Sequence, residues 1–134
     1  DSPNAEAFPS WSRDGRSIVF LRADENGASA VRIPAAGGAA RPLARAGAFA
    51  PKESPDGRFV FFPRDKAIWR MPVAGGNEEK VVEAEQAIFN GWDVYDHGLC
   101  FFDTRPDGTA LLRVYEFAGG RSRDLATLRP GSTA

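Results

Sequence analysis

Apolar and polar positions alternate along the chain in short bursts, each ended by a turn signal. Ser17 to Leu21 is a dense apolar run with β-branched residues, apolar on both alternating faces, and predicts a strand covered on both sides. Phe59 to Phe62 and Leu99 to Phe102 repeat that run. Ahead of each lies a shorter extended segment: Pro9 to Ser12, Pro51 to Ser54, and the residues from Gly91. Behind each lie two further strands. In the first unit these are Ala30 to Pro34 and Ala40 to Ala44. In the second they are Ile68 to Pro72 and Glu79 to Val82, and in the third Leu111 to Phe117 and Ser122 to Leu128. Pro42 suits an edge strand, where a missing N–H is tolerated. Glu83 to Gln86 has helical composition, but four residues cannot sustain a helix. No amphipathic helix of ten or more residues is predicted, so the chain reads as all-β.

The punctuation is periodic. Asp14-Gly15 and Asp56-Gly57 are tight-turn signals, and Asp96-His97-Gly98 is a weaker third. The three aspartates are 42 and 40 residues apart. A period near 40 made of short strands is the signature of propeller blades. Asn26-Gly27, Arg64-Asp65-Lys66 and Pro106-Asp107-Gly108 mark a second set of turns. The pairs Gly37-Gly38, Gly75-Gly76 and Gly119-Gly120 mark a third. The units span about 8–46, 49–86 and 89–128, after a polar connector over 1–7 and before a loose tail over 129–134. Alignment on the turn aspartates predicts apolar columns Ile18/Val60/Cys100, Val19/Phe61/Phe101, Phe20/Phe62/Phe102 and Leu43/Val81/Leu125.

Composition narrows the function classes. The 134 residues fit one domain, and 43% hydrophobic with 26% charged residues are globular values. Net charge is -1 with acids and bases interspersed, so no basic stripe marks a nucleic-acid surface. No run of 18 apolar residues suggests a membrane span. The chain opens on Asp1-Ser2-Pro3-Asn4, without an initiating Met or a signal peptide, and is read as a mature form or an excised segment. One cysteine, Cys100, excludes an intrachain disulfide and suits either redox compartment.

Candidate chemistry is sparse, and each candidate has a structural competitor. His97 is the only histidine. A general base needs a nucleophile and an orienting group, and its turn position favours a solvated side chain. Asp14, Asp56 and Asp96 suggest either a carboxylate ring around a channel or, preferably, three turn-formers. Asp93 and Asp103 are unpaired extras. Cys100 is expected to be a buried, inert thiol, with no second Cys or His for a metal. Trp11 and Trp69 occupy repeat positions and are expected to pack. Trp92 falls outside the Trp11 position and stands out as a candidate aromatic contact. Arg16 and Arg58 follow the turn glycine in matching places, so a rim for an anionic partner competes with an ordinary soluble surface. The glycine pairs lack the Gly-Lys-Ser/Thr ending of a phosphate loop. Ser10 and Ser12 lack the context of a nucleophile elbow. No catalytic, cofactor or metal residue is therefore assigned.

Trp11-Ser12-Arg13-Asp14-Gly15, Ser54-Pro55-Asp56-Gly57 and Trp69-Arg70-Met71-Pro72-Val73-Ala74-Gly75-Gly76 resemble the TolB-type, WD-like propeller repeat. In wording they are similar above all to the propeller domains of bacterial winged-helix regulators. The resemblance implies four-stranded antiparallel blades around a channel and a periplasmic or cell-envelope setting. It implies a non-catalytic protein-interaction or ligand-sensing role. Rivals are an accessory propeller of a serine peptidase, a lyase site on the channel face, or a self-assembling structural piece. Three blades make half of a six-bladed ring. If each terminal face exposes roughly 400 Å² of apolar area, the loss is about 10 kcal/mol as an upper bound. That matches the whole net stability of a domain. The expected partners are therefore a second copy of the chain, paired head to tail, or further blades of a longer chain, besides an unidentified protein partner.

Overall fold

The computed structural model describes residues 5–25, 27–43, 51–84 and 91–128. Twelve strands form three four-stranded antiparallel sheets, each a meander in chain order. Blade 1 holds β1 (Ala5–Trp11), β2 (Ser17–Asp24), β3 (Gly27–Pro34) and β4 (Arg41–Pro42). Blade 2 holds β5 (Lys52–Glu53), β6 (Phe59–Arg64), β7 (Ala67–Pro72) and β8 (Glu79–Glu83). Blade 3 holds β9 (Trp92–Tyr95), β10 (Gly98–Thr104), β11 (Ala110–Glu116) and β12 (Arg121–Leu128). No helix occurs among the described residues. β5 touches both β1 and β9, so the first strand of each blade lies at the hub and the fourth at the periphery.

The predicted strands are present, with shifted bounds. β1 begins inside the expected connector, and β4 keeps only two residues around Pro42 at the outer edge. The tail over 129–134, the turn residue Asn26, the strand end Ala44 and, of the helix-like stretch Glu83 to Gln86, the residues Glu85 and Gln86 lie outside the described residues.

The blades stack face to face. Alternate residues of a strand point to opposite faces. On β6, Val60 and Phe62 point back to blade 1, where they join Ala30 and Met71 in one core, with Leu43 packed against it. Phe61 points forward into a second core with Ile68, Trp92, Leu99 and Phe101. Its ring stacks on Phe117 at 5.6 Å. Blade 2 is thus buried on both faces, which explains why Val60, Phe61 and Phe62 are apolar without a break.

Strand pairing corrects the predicted columns in blade 3. Val60 pairs with Glu53, and the equivalent pair is Leu99 with Val94. Leu99 therefore aligns with Val60, Cys100 with Phe61, and Phe101 with Phe62. The cause is a change of turn. Five residues join β1 to β2 and β5 to β6, whereas two, Asp96 and His97, join β9 to β10. Asp96 is not the counterpart of Asp56, and alignment on it slips the strand by one residue, which exchanges its two faces.

Candidate functional site

Two kinds of turn leave the hub in different directions. The turns from first to second strand share one rim with the glycine-pair turns, and the turns from second to third strand lie on the opposite rim. On the first rim, blades 1 and 2 repeat one network. Ser12 Oγ donates to Asp14 Oδ1 at 2.7 Å, Arg16 N donates to the same oxygen at 2.9 Å, and Ser17 N donates to Ser12 Oγ at 3.0 Å. Ser54, Asp56, Arg58 and Phe59 make the same bonds at 2.6, 3.0 and 3.1 Å. The serine hydroxyl first, then the backbone N–H, holds each carboxyl below its ordinary pKa. These carboxylates are therefore engaged by their own turns, which is the turn-forming role expected of Asp14 and Asp56. No group of three His, Cys, Asp or Glu residues suited to a metal occurs among the described residues.

At the hub, two adjacent residues of β5 clamp both neighbours. Lys52 reaches forward: Nζ donates to Trp92 O at 2.8 Å, lies 3.6 Å from Asp93 and sits 4.9 Å from the Trp92 ring centre. Glu53 reaches back: Oε1 accepts Arg13 N at 3.1 Å, and Oε2 lies 3.7 Å from Arg32, within ion-pair reach but beyond a hydrogen bond. The sequence signal was present in the Lys52-Glu53 pair, since strand alternation sends consecutive side chains to opposite blades. Asp93 and Asp103, expected to be unpaired, both have cationic neighbours: Lys52, and Arg113 at 3.6 Å.

The tryptophans divide three ways. Trp92 is buried between blades 2 and 3, at the position of Pro9 and Pro51, with its Nε1 unpartnered. Trp69 is half-buried, donates to Arg64 O at 2.9 Å and carries the Arg64 guanidinium 4.6 Å from its ring centre. Trp11 was expected to pack, yet it is 61% exposed. It pairs with Ile18 and so lies on the face of blade 1 that turns away from blade 2. Cys100 is half-buried rather than enclosed, on the outward face of blade 3. His97 is exposed, edge-on to Tyr95 at 6.3 Å.

The second rim varies from blade to blade. Blade 2 uses Asp65-Lys66, both with positive φ, in a two-residue turn that matches the strand twist. Blade 3 uses the five residues Arg105 to Thr109, closed by Thr109 N donating to Asp107 Oδ1 at 2.8 Å. Thr109, through its side chain first, lowers the Asp107 pKa. Glu25, Asp65, Lys66, Arg105 and Asp107 are exposed tips of both signs. Between blades 1 and 2 at the periphery, a cleft of 640 Å³ is lined by Leu43, Arg64, Trp69, Met71, Asn77 and Glu78. The Arg64 charge there is met by both Glu78 oxygens, at 3.0 and 2.8 Å.

No protein-family model matches the chain. Solved structures do. TolB from Acinetobacter baumannii matches with TM-score 0.74 at 17% identity, over 93% of this chain and 33% of that one. A TolB from Agrobacterium tumefaciens matches with TM-score 0.70 at 19% identity, over 96% of this chain and 51% of that one. The β-propeller domain of the trilobed protease from Pyrococcus furiosus matches with TM-score 0.68 at 14% identity, over 97% of this chain and 44% of that one. The chain thus spans between a third and a half of these proteins. At such identities the likeness speaks of fold, and the fold is a TolB-like β-propeller in part, with three blades.

Proposed function

We infer that this propeller module is a non-catalytic interaction or ligand-sensing unit whose contact face is the rim of turns between second and third strands. The observation that carries this is the contrast between the rims. The first rim repeats one closed hydrogen-bond network in blades 1 and 2, whereas the second differs in sequence in every blade, lengthens from two residues in blade 2 to five in blade 3, and ends in exposed charges. A scaffold holds its repeated turns constant and varies the loops that touch a partner. Function on a shared fold resides in such sites. The likeness to regulator propellers rests on the wording of Trp69 to Gly76 alone. Structural neighbours also include an oligogalacturonate lyase and an acylaminoacyl peptidase. An accessory peptidase propeller or a channel-face lyase is therefore the competing reading.

The test is selection of displayed random peptides on the immobilised protein, followed by exchange of single turns. Binding is expected to be lost when Arg105 to Thr109 is replaced by a two-residue turn and kept in Arg16→Ala and Arg58→Ala. Loss only in the arginine variants would move the site to the other rim. Turnover of oligogalacturonide or peptide ester that disappears in His97→Ala would replace this reading with the enzymatic one.

A further inference from the structure

We propose that a cleft between blades 2 and 3, on the first rim, is a binding site for the free N-terminal residue of a peptide. The apolar side chain of that residue rests on an aromatic floor, and its ammonium meets an acidic mouth. Phe59, Phe61 and Phe117 supply the apolar part. Phe61 is fully buried and stacks on Phe117 at 5.6 Å. Asp56 and Asp96 line the same cleft from opposite blades, and both are exposed, which sets their carboxylates at its mouth. The cleft has a structural cause. Where blades 1 and 2 meet, their five-residue turns touch: Arg13 N donates to Glu53 Oε1 at 3.1 Å, and a Cβ on Gly57 would lie 3.8 Å from Arg13 Cβ. In blade 3 the turn Asp96-His97 is three residues shorter. No such turn comes up against that of blade 2, and 180 Å³ stays open above Phe59 and Phe61.

Charge decides the sign of the occupant. Arg70 also lines the cleft, but its Nε donates to Glu79 and its guanidinium lies 4.3 Å from the Phe59 ring centre, so its charge is already met. Asp56 is kept ionised by the Ser54 hydroxyl and then the Arg58 N–H, both bound to Oδ1, while exposed Arg58 adds a smaller attraction. Asp96 has no hydrogen bond or ion pair among the described residues. Asp96 and the second oxygen of Asp56 are therefore left for a cation from outside. Tyr95 stands beside Asp96, 37% exposed, and offers that cation a ring face.

Size and depth decide its kind. Small-molecule sites enclose roughly 300–1,000 Å³. A cleft of 180 Å³ takes one side chain and leaves the rest of its bearer outside. A lysine or arginine entering head first would set its charge against Phe61, far from the carboxylates, at a large desolvation cost. An N-terminal residue has its ammonium next to the backbone and its apolar group beyond, which matches an acidic mouth over an aromatic floor. This site lies on the rim opposite the one assigned to partner contact above, so neither reading depends on the other.

The test is NMR titration of the whole chain with the tripeptide Leu-Gly-Gly, its N-acetylated form, Gly-Gly-Gly and isoamylamine. Leu-Gly-Gly is expected to shift the ring signals of Tyr95 and Phe117. Acetylation, loss of the leucine side chain, and Asp96→Asn are each expected to weaken binding about tenfold. Asp65→Asn, on the opposite rim, is expected to leave it unchanged. Asp65 and Asp96 are both exposed, so each variant should keep the β-sheet spectrum. Equal binding of the acetylated peptide or of Gly-Gly-Gly, or indifference to Asp96→Asn, would overturn the proposal. Isoamylamine binding as tightly as the tripeptide would give the cleft to a free amine and overturn the peptide assignment. So would the absence of any shift at millimolar peptide. Binding lost in Asp65→Asn and kept in Asp96→Asn would set the peptide on the second rim, against this proposal and in keeping with the rim reading.

Discussion

Ser54 shows how one side chain can close a turn. Its hydroxyl donates to Asp56 and accepts from Phe59 N, so one atom serves two partners. Ser54→Ala is expected to destabilise by about 1 kcal/mol or somewhat more, as a hydrogen-bonded polar pair is broken. Chemical denaturation checks the size. The Asp56 pKa, followed by NMR, should move up in the variant. The lowered Asp14 and Asp56 pKa values give stability that is present above the ordinary carboxylate pKa, near 4. That stability is lost as pH falls through the lower folded values. Wild type should therefore lose stability at acid pH more steeply than Ser54→Ala, and parallel acid limbs would contradict this. Gly98 is decided by space. A Cβ built there would lie 2.0 Å from the Tyr115 carbonyl oxygen, so Gly98→Ala is expected to lose roughly 3 kcal/mol through a forced backbone shift. Gly37→Ala meets nothing nearby and strains only its positive φ, at about 1 kcal/mol. Equal melting shifts for the two would refute the distinction. The Ser-x-Asp-Gly turns were legible in sequence because the network is local. Strand alternation in sequence sends Lys52 and Glu53 to opposite faces, but their partners Trp92 and Arg32 were not legible, because these depend on which blade lies on each side.

At the level of the strand, burial on both faces separates the middle blade from its neighbours. Phe61→Ala opens a cavity in the core shared with blade 3 and is expected to lose about 3–5 kcal/mol in denaturant titration. Phe102→Ala, two residues beyond Cys100 on the same outward face of blade 3, removes a ring that is 45% exposed and should lose far less. Similar losses would mean that blade 3 is covered as fully as blade 2. The strand bursts and their order were readable, since a two-residue period and glycine turns are local signals. The third-blade register was not. The β9–β10 turn is three residues shorter than its counterparts, and nothing in its Asp-His-Gly wording reveals that. Periodic identity located the blade, but only strand pairing fixed which of Leu99 and Cys100 faces inward.

Over the whole molecule, the account rests on three blades that stack by one repeated front-to-rear contact, with both ends of the stack left apolar. The exposure of Trp11 was not legible from its repeat position, because that position is covered only when a blade lies behind it. Cys100 offers a built-in reporter, since it sits on the front face of blade 3 and is the only thiol in the chain. The most direct measurement is its rate of reaction with a thiol reagent in the folded protein, compared with Phe61→Cys in a Cys100→Ser background. The account predicts that the half-buried thiol at position 100 is labelled while the β-sheet spectrum is intact, and that a thiol at the fully buried position 61 is labelled only on unfolding. Equal rates at the two positions in folded protein would contradict the account.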